Sequence, residues 1–314
     1  MIYLFILASL TVVLLVLLKP QRRKRKLRLK KIRIPLLLDY QLDEAKPLIE
    51  KLENSLPPSY MEKVKERVLT HHPHWTDHDF EWRLFELKRY FILSKIVKSV
   101  PMFSDEVDEI WHEMLMFTKE YEAFSKKFYG SFLHHTPTAE VKPIPFERAF
   151  FDWMYLQLFQ PSSNSRLLWG SFLKHPLKKE LLEEFISQSP SSLIQRYFRK
   201  DDEAASIQYQ IIERLKADLK QAESWYRSRE RNFADRSSAT EDHTHLLTAM
   251  VFFSLYMPES YSEEMDELIS EEENANGGVS GSSGSGFSCS SDNDSSCSSA
   301  GCSSSSCGGG CGSS

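Results

Sequence analysis

Five residues between positions 108 and 135 carry the side chains best placed to do chemistry together: Asp108, Trp111, His112, His134 and His135. In the run VDEIWHEML, Asp108 and His112 stand four apart, so on an α-helix they share one face, with Trp111 on the adjoining apolar face. A carboxylate one turn before an imidazole can orient it, raise its basicity or join it in ligating a metal. His134 and His135 add two more imidazoles just past Gly130, a residue suited to end a helix in the left-handed conformation. Asp108, His112, His134 and His135 are therefore the candidate ligands for a divalent metal or small molecule. General acid–base catalysis is a weaker alternative, and plain packing and capping by the same residues is the competing reading.

Whether the four meet depends on the helix that carries them. If 104–129 is one unbroken helix, His112 lies about 27 Å from its end. The residues leading to His134 and His135 retrace at most about 18 Å, too little for one ion to be shared. A break at Thr118, which could cap a second short helix, would let the chain double back. The apolar spacing Met114, Phe117, Tyr121, Phe124, Phe128 is compatible with the unbroken helix, so both versions stand at this point.

Other sites of chemistry are poorly supported. His71, His72, His74 and His78 form a His-rich turn that reads as solvated. His243 and His245, two apart, point to different helix faces, and His175 before Pro176 is assigned nothing. The body lacks the glycines for a phosphate loop or a dinucleotide fingerprint, and it has no GxSxG and no cysteine. His112-Glu113 starts like the zinc-protease HExxH, but its fifth residue is Met116. No catalytic residue is named.

The elements that must position these side chains read as helices from about residue 40 to 270. Apolar residues recur at three- and four-residue steps, as in Phe80, Leu84, Leu87, Phe91 and in Ile207, Ile211, Leu215. Thr76 and Ser104 precede acidic first turns, as N-caps do. Stops fall at Pro57-Pro58, Pro101, Gly130, Pro143, Pro145, Pro161, Pro176 and Pro190. Residues 201–233 read as one amphipathic helix, with Arg214 and Asp218 spoiling any heptad. Leu246–Met257 is a buried core helix, too short to span a bilayer. The fold class is all-α, a helical array with a first part at 37–160 and a second half at 161–272, as one domain or two closely packed halves.

Both ends differ from this body. Residues 2–18 contain no charge, glycine or proline. At 1.5 Å per residue they cover about 26 Å, close to the hydrocarbon thickness of a bilayer, which predicts a transmembrane anchor over 1–19. Ten Lys/Arg stand between Lys19 and Arg33, with no acid before residue 36. This collar, within a juxtamembrane segment at 20–36, would contact lipid headgroups and keep the rest of the chain cytoplasmic, with the N-terminus outside. It lacks the interleaved aromatics of a nucleic-acid binder, so nucleic acid is not an expected partner. The acidic run from Glu263 to Glu273 reads as a solvated helix fading into the tail. Residues 274–314 hold 17 Ser, ten Gly and all five Cys, too little apolar surface to offset the entropy of ordering. A disordered tail over 273–314 is expected. No CxxC pair occurs among Cys289, Cys297, Cys302, Cys307 and Cys311, so a zinc module is weakly signalled.

Several motifs between His72 and Pro137 stand in an order that resembles the glycine-rich domain-containing protein-like family. They are His72-Pro73-His74-Trp75-Thr76, Val107-Asp108-Glu109-x-Trp111-His112, Tyr121-x-x-Phe124 and Gly130-x-Phe132-Leu133-His134-His135-x-Pro137. They cover about a fifth of the chain, and the resemblance implies kinship more than a defined activity. The chain departs from the family pattern at Met114, where many relatives have a second histidine, and at Ser125, where cysteine is common. On the resemblance alone these departures weaken a metal site. The resulting expectation is a membrane-anchored interaction or scaffold protein with a protein partner, more a binding module than an enzyme. The alternative is a metal- or ligand-binding domain built on Asp108, His112, His134 and His135.

Overall fold

Several helices in this chain start at a short polar side chain that supplies a partner for a free backbone N–H, or at a proline that has no such N–H to satisfy. The computed structural model describes residues 27–135, 145–228 and 244–276. Within them two 3-10 turns, Leu36–Asp39 and Asp43–Ala45, lead into twelve α-helices, and two isolated backbone bridges stand in place of any strand. The first five helices are α1 (Lys46–Ser55), α2 (Pro58–His71), α3 (Asp77–Ile96), α4 (Asp105–Leu115) and α5 (Thr118–Tyr129). Next come α6 (Pro145–Leu158), α7 (Ser163–Trp169), α8 (Lys179–Ser187) and α9 (Pro190–Tyr197). The last three are α10 (Ala205–Ser228), α11 (Thr244–Tyr256) and α12 (Tyr261–Asn276). All-α is thus the class. Thr76 caps α3 in a reciprocal box with Asp79, and the Ser104 hydroxyl accepts the Val107 N–H at 3.2 Å to open α4. Pro58, Pro145 and Pro190 are helix starts as much as stops, since a proline at the first turn gives up an N–H that has no helical partner there.

The helix α3 organises the first part of the body. Fifteen of its 20 residues are buried, so it is no amphipathic surface helix with a single apolar stripe. α1, α2, α4 and α7 all pack against it. Four charged residues go into the core with it, and each finds partners there. The Arg83 guanidinium binds Glu106 and lies 3.7 Å over the Trp75 ring. Lys95 pairs with Asp201 at 2.5 Å. Glu86 accepts hydrogen bonds from Tyr155 (2.6 Å), Ser165 (2.6 Å) and the Trp169 indole (2.7 Å). Arg89 donates to the Tyr155 hydroxyl at 2.8 Å and to the Leu38 carbonyl at 3.0 Å. That last bond holds a strained turn: Leu37, Leu38 and Asp39 all have positive φ, a conformation costing about 1–3 kcal/mol per residue for non-glycine side chains. Because Tyr155 lies on α6 and Ser165 and Trp169 on α7, the Glu86 carboxylate stitches the chain together across residue 160.

The second layer forms around α10, against which α6, α8, α9 and α11 pack, with α12 on α11. α10 ends at Ser228, and the expected continuation to 233 lies outside the described residues. Asp218, which breaks the heptad, is buried and accepts the Gln157 amide at 2.7 Å. α11 is buried from Leu246 to Ser254, as its unbroken apolar run implies. The acidic α12 is not wholly solvated, because Tyr261, Met265 and Leu268 turn inward.

No helix among the described residues is long and apolar enough to cross a membrane. The apolar run 2–18, the collar up to residue 26 and the tail from 277 lie outside the described residues. The end of the collar is described, and it is docked on the body. Leu27, Leu29 and Ile34 pack against the core while Arg28, Lys30, Lys31 and Arg33 are exposed. The Asn164 side chain fixes this stretch, accepting the Lys30 N–H at 2.8 Å and donating to the Lys30 carbonyl at 2.9 Å.

Removing Arg89 leaves the Glu86 carboxylate as an uncompensated buried charge. Arg89→Met is expected to destabilise the full chain by about 3–5 kcal/mol in urea unfolding followed by circular dichroism. Glu86→Gln added to it should recover part of that loss; no recovery would show that the cost lies in packing and not in charge.

Candidate metal centre

The helix carrying Asp108 does break. α4 ends at Leu115, the chain turns through Met116 and Phe117, and α5 begins at Thr118. This is the doubled-back version of the two that the sequence allows. Phe117 supplies no side-chain cap, so the turn is fixed by what packs around it: the Phe117 ring meets Tyr60 edge-on, and the Tyr60 hydroxyl donates to the Met114 carbonyl at 2.8 Å. α5 then closes at Gly130, whose φ of 78° is the left-handed cap expected there, with its N–H on the Lys126 carbonyl at 3.0 Å. Residues 131–135 return along α4.

The Tyr121 hydroxyl clamps the returning segment. It accepts the Trp111 indole N–H at 3.0 Å and donates to the Leu133 carbonyl at 2.7 Å, both within the core. Burial pushes its phenol up from the ordinary value, so it stays protonated as the donor this bridge requires. The clamp seats His135 edge-on to the Trp111 ring, with centroids 4.3 Å apart, and 4.7 Å from the His112 ring.

Three side chains converge as a result. His135 Nε2 lies 2.7 Å from Asp108 Oδ1, and His112 Nε2 lies 3.5 Å from Asp108 Oδ2. Ligand atoms from all three residues can be chosen within 4.8 Å of one another, and among the described residues no other group of His, Cys, Asp and Glu is so arranged. Tetrahedral ligands at metal–nitrogen and metal–oxygen distances near 2.1 Å stand about 3.4 Å apart, so small rotamer changes separate this arrangement from a coordination shell. The His135 side chain is 4% exposed and that of Asp108 11%, against 43% for His112. The site is thus walled on two sides and open at His112. Glu109, at 3.9 Å from His112 Nδ1, is placed to orient that ring from behind.

His134 does not join the other three. With His135 turned to Asp108, His134 instead lines a cavity with Trp111, its ring 4.9 Å from Phe132. The His-rich turn also has packing partners of its own. His71 bonds Glu113 at 2.7 Å, His72 stacks on Trp75 with centroids 4.2 Å apart, and His78 donates to the Lys30 carbonyl at 3.0 Å. His243 lies outside the described residues. Met114, two residues past His112, falls about 200° around the helix from it, so a histidine there would face away from this site. Its absence takes nothing from the Asp108–His112–His135 group. Tyr121 is the residue that sequence reasoning undervalued: it belongs to the YxxF motif, yet its hydroxyl role shows only once α5 folds back.

Residues 46–147, about a third of the chain, match the UCP032817-like family. The matched stretch encloses the whole 72–137 region and every residue of the site. No curated protein and no solved structure matches the chain.

Tyr121→Phe strips two buried groups of their partner at once and should cost about 1–3 kcal/mol of unfolding free energy. Gly130→Ala meets no atom within 4 Å, so only its positive φ resists, at about 1 kcal/mol. Equal stability of Tyr121→Phe and the parent in urea titrations would refute the clamp.

Proposed function

We propose that the helical body is a metal-binding domain that takes one divalent transition-metal ion on Asp108, His112 and His135. The observation that carries this reading is the convergence of those three side chains from two segments that a helix break brings together. Two imidazoles and one carboxylate suit Zn²⁺ or Fe²⁺. Three protein ligands leave a position for water or a small molecule, and the open side at His112 is where it would enter. His134, a fourth ligand in the sequence reading, is left out of the set. The geometry favours this reading over a purely scaffolding one, for which no particular surface speaks.

The domain would be tethered to a membrane by residues 2–18, with the collar at 19–33 on anionic headgroups and the body on the cytoplasmic side. What supports the tether is the uncharged run and the basic residues after it. The docking of 27–34 would then hold the body close to the lipid surface. Kinship with the glycine-rich domain-containing proteins rests on the shared motifs alone, and a protein partner is part of the same proposal.

Elemental analysis of the full-length protein purified in detergent should find about one equivalent of metal. Calorimetric titration of the stripped protein with Zn²⁺ should lose 10–100-fold or more in affinity on Asp108→Asn, His112→Ala or His135→Ala, with His134→Ala unchanged. Affinity should fall as the solution is acidified, because the ligands must be deprotonated. Absence of any equivalent of metal, or equal binding by all four variants, would end the proposal. For the tether, the chain should stay with the membrane pellet through alkaline carbonate extraction; release to the supernatant would exclude it.

A further inference from the structure

Trp111, whose ring meets His135, also lines a cavity of about 390 Å³, within the range that holds a small organic ligand. Its walls are built by the backbone bridge between Val97 and Phe198. There the Lys98 N–H donates to the Tyr197 carbonyl at 2.9 Å and the Arg199 N–H to the Ile96 carbonyl at 2.9 Å. The Gln208 side chain holds the Arg199 carbonyl at 2.8 Å. Arg199 is therefore fixed in place by its backbone, and it lines the cavity with its side chain half-buried.

Its guanidinium has little else to do. Nε reaches the Val97 carbonyl at 3.3 Å, and no carboxylate among the described residues forms an ion pair with it. Arg83, Lys95 and Arg148 each have a carboxylate partner, whereas the half-buried Arg214 and Lys216 are held by carbonyls away from this cavity. The Arg199 charge is close enough to Tyr90 and Tyr129 to oppose the upward push that burial gives both phenols. Lys98, the other cation of the lining, turns its ammonium to the Gln195 carbonyl. The remaining wall mixes apolar and aromatic groups, Tyr90, Trp111, Met102 and Leu133, with the serines at 94 and 99 and the His134 imidazole, a second group able to meet an anion. Tyr90 spends its hydroxyl on the Val100 carbonyl and Trp111 its N–H on Tyr121, so neither offers a free donor to a ligand. An unpaired guanidinium beside aromatic walls has the character of a carboxylate receptor, since arginine matches a carboxylate with two parallel donors. Glu147 on the lining disfavours a second negative charge.

We infer that this cavity binds a small organic monocarboxylate, with the carboxylate on Arg199 and an aromatic or branched apolar body against Tyr90, Trp111 and Met102. None of the three proposed metal ligands lines this site, although Trp111 and the segment that carries His135 border both. The test is calorimetric titration of the full-length protein, in detergent and excess EDTA so that no carboxylate registers by ligating a metal. The probes are benzoate, phenylacetate, 3-phenylpropanoate and 4-methylpentanoate, each against its neutral amide, with inorganic phosphate alongside. At least one carboxylate should bind with Kd below about 1 mM and at least tenfold more tightly than its amide. Arg199→Met should erase that preference while leaving amide binding as it was. Glu147→Gln, an exposed change that does not threaten the fold, should strengthen carboxylate binding a few-fold, and His112→Ala should not alter it. No binding by any of the four carboxylates, amides binding equally well, phosphate binding as tightly as the best carboxylate, or a preference that survives Arg199→Met would each overturn the inference.

Discussion

A helix buried on every side must satisfy its charges internally, and that constraint on α3 shapes the whole body. Arg83, Glu86, Arg89 and Lys95 could have lain on a solvated face. Instead each reaches a different neighbour: α4 through Glu106, the 155–169 region through Tyr155, Ser165 and Trp169, the strained turn at Leu38, and the approach to α10 through Asp201. Charges taken out of water are costly and repay that cost only in good geometry. The positions of four separate elements are therefore tied to one helix, and a shift of any of them would strand a buried ion.

This rigidity is what allows a site to exist between α4 and the segment after α5. α4 lies along α3, with Trp111 against Tyr90 and Phe91. The indole is thereby fixed on one side, offers its edge contact to His135 on another, and closes the cavity beside Arg199. Trp111 borders two regions: its ring meets His135 of the Asp108–His112–His135 group, and it lines the cavity that Arg199 also lines, while its own N–H is used up on Tyr121.

Much of this could be read from residue types, and the limits of the reading have physical causes. The caps at Thr76 and Ser104, the left-handed Gly130 and the buried helix at 246–257 follow from local rules, because the signal and its cause lie within a few residues. The break at 116–117 is one of two versions open to the sequence, since the apolar spacing from Met114 to Phe128 suits one helix as well as two. It is decided by Tyr60 and Phe117, contacts more than fifty residues apart in sequence. Of the four candidate ligands, three gather and His134 lines a neighbouring cavity, a division between two adjacent residues that spacing along the chain does not reveal. The apolar spacing of Phe80, Leu84, Leu87 and Phe91 marks a helix but not the burial of its charges, because a buried salt bridge shows only once its partner is placed. Arg199 carries no sequence signal at all. Nothing in its neighbours along the chain tells an arginine that is paired from one that is not.

The position of Met114 looks different once the helix is built. Met114 seemed to remove a ligand, yet at 200° from His112 it belongs to the buried face, where it is wholly covered and its carbonyl receives the Tyr60 hydroxyl. A histidine at that position would have to bury a second imidazole or serve some other site. The three that remain, one carboxylate and two imidazoles, come from segments joined by a tight return, and their spacing depends on the Tyr121 clamp and on the break that Tyr60 helps to fix from α2. The cluster draws its geometry from that helical hairpin and its packing partners, and its rigidity from α3 beneath it.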